Sequence, residues 1–175
     1  LSWYTGPATA GSENSQPPAL MAHPSASAPA PTLASKPSYL KIIITETLIS
    51  PIGERFVELY NPNNAEVNLT DWYIQKKTAT GDSFNSFISS TQFEGKIIQS
   101  YGYFLVARSN ENADIILEDM TLTKNNTLVI KNPNRDIVDE VLTDDPPASK
   151  SYGRKWSDDS QSYLDDFEVQ NPTPR

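Results

Sequence analysis

The residues in this chain with the greatest capacity for chemistry are its carboxylates. Glu46 and Glu58 each fall inside a run of apolar and β-branched residues, Leu40 to Thr47 and Arg55 to Tyr60. In an extended strand Phe56, Glu58 and Tyr60 share one face, and Val57 and Leu59 share the other. A carboxylate half-buried on such a face needs a partner, because leaving it unpaired costs several kcal/mol. Two such groups could act as the acid pair of a glycosidase, but that reaction also needs a cleft and substrate contacts. The simpler reading is a structural tie between the first sheet and the C-terminal section. Arg154, in Ser151-Tyr152-Gly153-Arg154, is the expected bidentate partner of Glu58. We assign Glu58 that structural role.

The remaining candidates are weaker. His23 is the only histidine and lies in a stretch of Pro, Ala and Ser that cannot position a general acid or base. This removes Ser-His-Asp hydrolysis and most His-based metal sites. Acidic pairs recur at Glu118-Asp119, Asp144-Asp145, Asp158-Asp159 and Asp165-Asp166. Ca²⁺ takes six to eight oxygen ligands, yet no Asp-x-Asp-x-Asp-Gly spacing is present and adjacent strand residues point to opposite faces. Solvated surface charge accounts for these pairs, with Asp144 and Asp145 the only place where a weak Ca²⁺ site is worth a titration. No catalytic residue, cofactor or metal ligand is assigned.

The aromatic residues divide in the same way. Trp72, Phe104 and Val106 sit in strong strand runs and are read as core. Trp156, between Lys155 and Asp158, is the better candidate for an exposed partner contact, with Lys155 and Arg154 beside it. Asn61 is structural: Asn61-Pro62-Asn63 ends a strand because Pro62 has no N–H to donate, and an Asn side chain accepts from the backbone two residues on.

These residues must be held by strands. From Tyr39 onward, short β-branched and aromatic runs alternate with Gly, Pro and Asn punctuation, and no 11-residue window shows helical spacing. Glu111 to Met120 is the nearest to a helical turn. Arg55 to Ile74 reads as strand, turn, strand, and its Asn-Pro-Asn turn is echoed at Asn132-Pro133-Asn134. The expected fold is an antiparallel β-sandwich over residues 39–175. Residues 1–38 precede it as a disordered linker, since residues 5–38 carry half of the 14 prolines and little to bury.

Seven pieces, IIITETL (42–48), FVELYNP (56–62), VNLTDWYI (67–74), SYGYFLVA (100–107), NTLVIKNPNRDIVDEV (126–141), SYGR (151–154) and PTP (172–174), resemble the lamin tail domain in its bacterial form. The resemblance implies an immunoglobulin-like β-sandwich and carries over no catalytic residues. It departs from the family at Asp71, where a Gly often precedes the Trp, and at Arg175, where a Gly often follows the terminal Thr-Pro. The resemblance to the family's animal members implies protein partners, with DNA as the competing expectation; its bacterial members occur in exported or surface proteins, often beside hydrolase domains.

A formal charge of -8 from 175 residues opposes a principal role in gripping phosphate backbones. There is no cysteine, hence no thiolate chemistry. The longest apolar runs fall far short of a bilayer span of about 20 residues. No signal peptide is visible, and Leu1 in place of Met is consistent with a fragment or processed form. The function expected is a non-catalytic binding or scaffolding module of an exported or cell-surface bacterial protein, engaging a protein or surface polymer. The competing expectations are an accessory domain of a secreted hydrolase or nuclease and a DNA-binding tail, the last opposed by the charge.

Overall fold

A computed structural model describes residues 35–175; His23 and most of the expected linker lie outside the described residues. The described residues form twelve strands: β1 (Ile43–Leu48), β2 (Phe56–Tyr60), β3 (Val67–Asn68), β4 (Tyr73–Lys77), β5 (Asn85–Ile88), β6 (Ile97–Ile98), β7 (Tyr103–Ala107), β8 (Ile115–Ile116), β9 (Thr127–Lys131), β10 (Ile137–Leu142), β11 (Ser151–Ser157) and β12 (Ser162–Gln170). They pair into a six-stranded sheet ordered β12-β11-β1-β2-β7-β8, a four-stranded sheet ordered β10-β9-β4-β5, and the small β3-β6 pair. Every pairing is antiparallel except β7 with β8. The result is an immunoglobulin-like β-sandwich, as expected.

The core lies between the two larger sheets. Ile44, Val57, Leu59, Phe104 and Val106 from one meet Ile74, Ile88, Leu128, Ile130 and Val141 from the other. Trp72, Phe93 and Met120 are fully enclosed among them. The alternation read in β2 holds: Val57 and Leu59 enter this core. Phe56 belongs to a separate cluster with Leu48, Leu105 and Ala107 on the opposite face of the sheet. Both faces of β2 are therefore buried.

Two local features differ from the sequence reading. The Asn61-Pro62 turn is not a hairpin, because β2 and β4 belong to different sheets and the chain crosses between them. Asn61 makes that crossing possible. Its Oδ1 accepts from the Asn63 N–H at 3.0 Å, and its amide donates to the carbonyls of Ala65 at 2.8 Å and Gln99 at 2.9 Å. The echo at Asn132-Pro133-Asn134 does close a hairpin, between β9 and β10. Glu111 to Met120 contains β8 and loops; the short helix α1 is instead at Ser90–Phe93, started by a Ser89/Gln92 capping box.

Asp71 has φ +66°, in the left-handed region that L residues enter at a cost and glycine enters freely. That is the physical reason a Gly suits this position before the buried Trp72. Asp, with a short polar side chain, is among the residues that tolerate it best.

Candidate functional site

Glu46 and Glu58 come together because of one extra residue in β1. Ile44 pairs with Leu59 and Glu46 with Glu58, so Thr45 is a bulge. Simple alternation after Ile42 and Ile44 would send Glu46 into the apolar core. The bulge turns it to the outer face of the six-stranded sheet, directly across from Glu58. Both carboxylates are 2% exposed.

Their partners come from Thr45 and from the segment 171–175, which leaves β12 and runs back across this face as a strap. The Thr45 hydroxyl donates to Glu58 Oε1 at 2.6 Å, and the Arg175 N–H donates to Glu58 Oε2 at 2.9 Å. The Thr173 N–H and hydroxyl donate to Glu46 Oε1 and Oε2 at 3.1 and 3.0 Å. Burial pushes the Glu58 carboxyl up to about 7, against the pull of the Thr45 hydroxyl and the Arg175 N–H and with a smaller push from Glu46. The Arg175 guanidinium lies 4.7 Å from the Tyr103 ring and bonds the Tyr103 hydroxyl, which in turn shares a 2.9 Å hydrogen bond with Tyr163. The expected tie between the first sheet and the C-terminal section therefore exists.

The expected agent of that tie is corrected. Arg154 does not reach Glu58, and it is 6% exposed, so it is no partner contact either. The guanidinium faces the other sheet. Its Nη2 lies 2.8 Å from both carboxylate oxygens of Asp139 in β10, and its Nε donates to the Ile44 carbonyl at 2.8 Å. Asp139 in turn accepts from the Ile44 N–H at 2.8 Å. The bulge explains this arrangement. β11 pairs with β1 only at Glu46 and Thr47, so the backbone of Ile44 needs partners elsewhere, and the ion pair supplies both. Burial pushes the Asp139 carboxyl above its usual range, opposed by the Ile44 N–H and by Arg154. An ion pair of this kind holds one sheet to the other.

Trp156 is 44% exposed and Lys155 is half-buried, which keeps both at the surface. The Trp156 ring stands edge-on to Tyr163 at 5.1 Å, and Tyr163 stands edge-on to Tyr60 at 5.3 Å. The tyrosines were not singled out as a group by sequence, since they lie on β2, β7 and β12 and meet only through the sheet order. Trp156 and Tyr163 wall a polar groove of about 340 Å³ bordered by Glu168, Gln170 and Arg175. Asp145 is taken by the Lys124 ammonium at 2.8 Å. Among the described residues no three or more His, Cys, Asp or Glu side chains gather as metal ligands would. Glu46 and Glu58 line the floor of the polar groove at 2% exposure, and their carboxylate oxygens are engaged by the fold's own donors, Thr45 and the strap.

No curated protein matches the chain. A family model, described as the lamin tail domain, matches residues 35–145. That span takes in β1 to β10 and leaves the SYGR and PTP pieces, the β11-β12 hairpin and the strap outside it. With the model covering well over half of the sequence and the sandwich it describes present in the structure, the chain belongs to the lamin tail domain family.

Proposed function

We propose that the chain is a non-catalytic binding or scaffolding module of an exported or cell-surface bacterial protein, engaging a protein or a surface polymer. The observation that carries this reading is the fate of the acid pair. Glu46 and Glu58 are the groups best placed for acid–base chemistry, and both are occupied by strap and bulge donors. What the molecule offers outward is a rigid sheet with an aromatic rim, Trp156 backed by Tyr163, of the amphipathic kind that serves as a contact anchor.

The test is co-sedimentation of the purified chain with bacterial cell-wall sacculi, which carry both wall polymer and wall protein. The wild-type chain should pellet, and Trp156→Ala should remain largely in the supernatant while melting within a few degrees of wild type. Equal pelleting of both chains would overturn the assignment of the surface. Turnover of chromogenic glycosides that disappears in Glu58→Gln would overturn the non-catalytic reading.

A further inference from the structure

The strap has a sequence as particular as its position. Residues 171–175 read Asn-Pro-Thr-Pro-Arg, with proline at every second place. Proline has no N–H, so from Pro172 onward the backbone donors of this segment are those of Thr173 and Arg175. Both are delivered to carboxylates that are 2% exposed, Thr173 to Glu46 at 3.1 Å and Arg175 to Glu58 at 2.9 Å. The side chains add a second layer of matching. The Thr173 hydroxyl completes Glu46, and the Arg175 guanidinium covers the Tyr103 ring. Pro172 and Pro174 border a different groove, of about 550 Å³, with Leu48, Phe56 and Ala107 on its wall. The strap leaves that space open, and four of its five residues are themselves exposed.

A cleft that satisfies buried carboxylates with alternate backbone N–H groups reads a backbone pattern as well as side chains. We infer that it is a peptide-recognition site, held in cis by the chain's own strap. In trans its ligand is an extended segment of a separate protein partner, with proline, an N–H-bearing residue, proline and then a basic residue. Such segments are already extended before binding, so little ordering entropy opposes docking. The basic end is matched by Glu58, Glu168 and the Tyr103 face, and the 550 Å³ groove offers a partner apolar contact that the strap does not use. The strap competes as an intramolecular ligand at an effective concentration on the order of millimolar. It therefore excludes weak partners and admits only segments that match the pattern. Trp156 borders the same groove, but the inference draws on the strap's contacts with Glu46, Glu58 and Tyr103 and uses no contact of the Trp156 ring.

The experiment uses the full chain and a labelled peptide of residues 169–175, followed by fluorescence anisotropy. In the chain, Thr173→Pro removes the strap's N–H and hydroxyl donors to Glu46. That variant should bind the peptide at least tenfold more tightly than wild type does. A peptide that itself carries Thr173→Pro should bind at least tenfold more weakly than the unaltered one. Equal binding of the two peptides, or no binding to the folded variant, overturns the inference. Should the variant not fold, wild-type chain labelled with ¹⁵N decides the matter. A twentyfold excess of peptide should move the Thr173 and Arg175 amide signals, and unmoved signals overturn it. Sedimentation velocity on wild type completes the set: a mass that rises with concentration would overturn the separate partner in favour of strap exchange between copies.

Discussion

Replacing Glu58 by Gln should abolish a pH dependence of stability that wild type carries. Glu58 ionises near 4.5 when solvated and is pushed to about 7 in the folded chain, chiefly by burial between the sheet and the strap. A raised carboxyl binds its proton more tightly in the folded state. Its stabilising share is thus complete below pH 4.5 and is lost as pH rises through 7. The gap between 4.5 and about 7, at 1.36 kcal/mol per pH unit, amounts to about 3 kcal/mol between pH 4 and pH 8. Glutamine has the same shape. Its Oε1 can accept from the Arg175 N–H, and its amide can donate to the Thr45 hydroxyl, which accepts as readily as it donates. The assay is urea unfolding of both chains at intervals from pH 4 to pH 8, with the free energies subtracted at each pH. Asp139 and the other titrating groups that do not interact with Glu58 cancel in that difference, and the contribution of neighbouring Glu46 is the smaller one. The variant should gain on wild type by about 3 kcal/mol across the range, most of it between pH 4.5 and 7. A difference that stays flat within about 0.5 kcal/mol would refute the argument that Glu58 is held dry.

Other substitutions probe the remaining parts of the fold. Arg154→Ala leaves Asp139 buried without its counter-ion and the Ile44 carbonyl without a donor, so urea unfolding should show a loss of about 3–5 kcal/mol. Trp72→Ala empties the centre of the core and should cost about 3–5 kcal/mol by the same measurement. The Trp72 indole N–H has no partner among the described residues, so Trp72→Phe should cost less, losing packing and no hydrogen bond. Asp71→Gly relieves a left-handed residue at φ +66° and should raise stability by about 0.5–1 kcal/mol, visible as a higher melting temperature.

The strands and the family were legible because their signals are local. The β-branched run before Thr47, the alternation in Arg55 to Tyr60 and the turn chemistry of Asn61-Pro62 and Asn132-Pro133 each act within a few residues. Trp72 and Phe104 were assignable to the core for the same reason. The Ser89/Gln92 box was equally local, yet its four-residue helix offers no apolar period to flag it. Arg154 was misread because a guanidinium in a strand can serve either face, and only sheet order tells which carboxylate lies within reach. Read from the sequence it pairs with Glu58, with no weight given to Asp139, which the sheet order brings within reach.

The chain's order of residues alone established an all-β sandwich, its principal core residues and the absence of thiolate chemistry. Those conclusions follow from side-chain periodicity, turn chemistry and composition, which need no knowledge of distant neighbours. Folding in three dimensions settled the rest. A single bulge at Thr45 turned Glu46 toward Glu58, opened the backbone of Ile44 to the Asp139–Arg154 pair, and left two carboxylates for the strap to cap. The contacts so made span up to 127 positions along the chain. A bulge is one residue out of phase, and its consequences are set by whatever strands the topology has placed on either side.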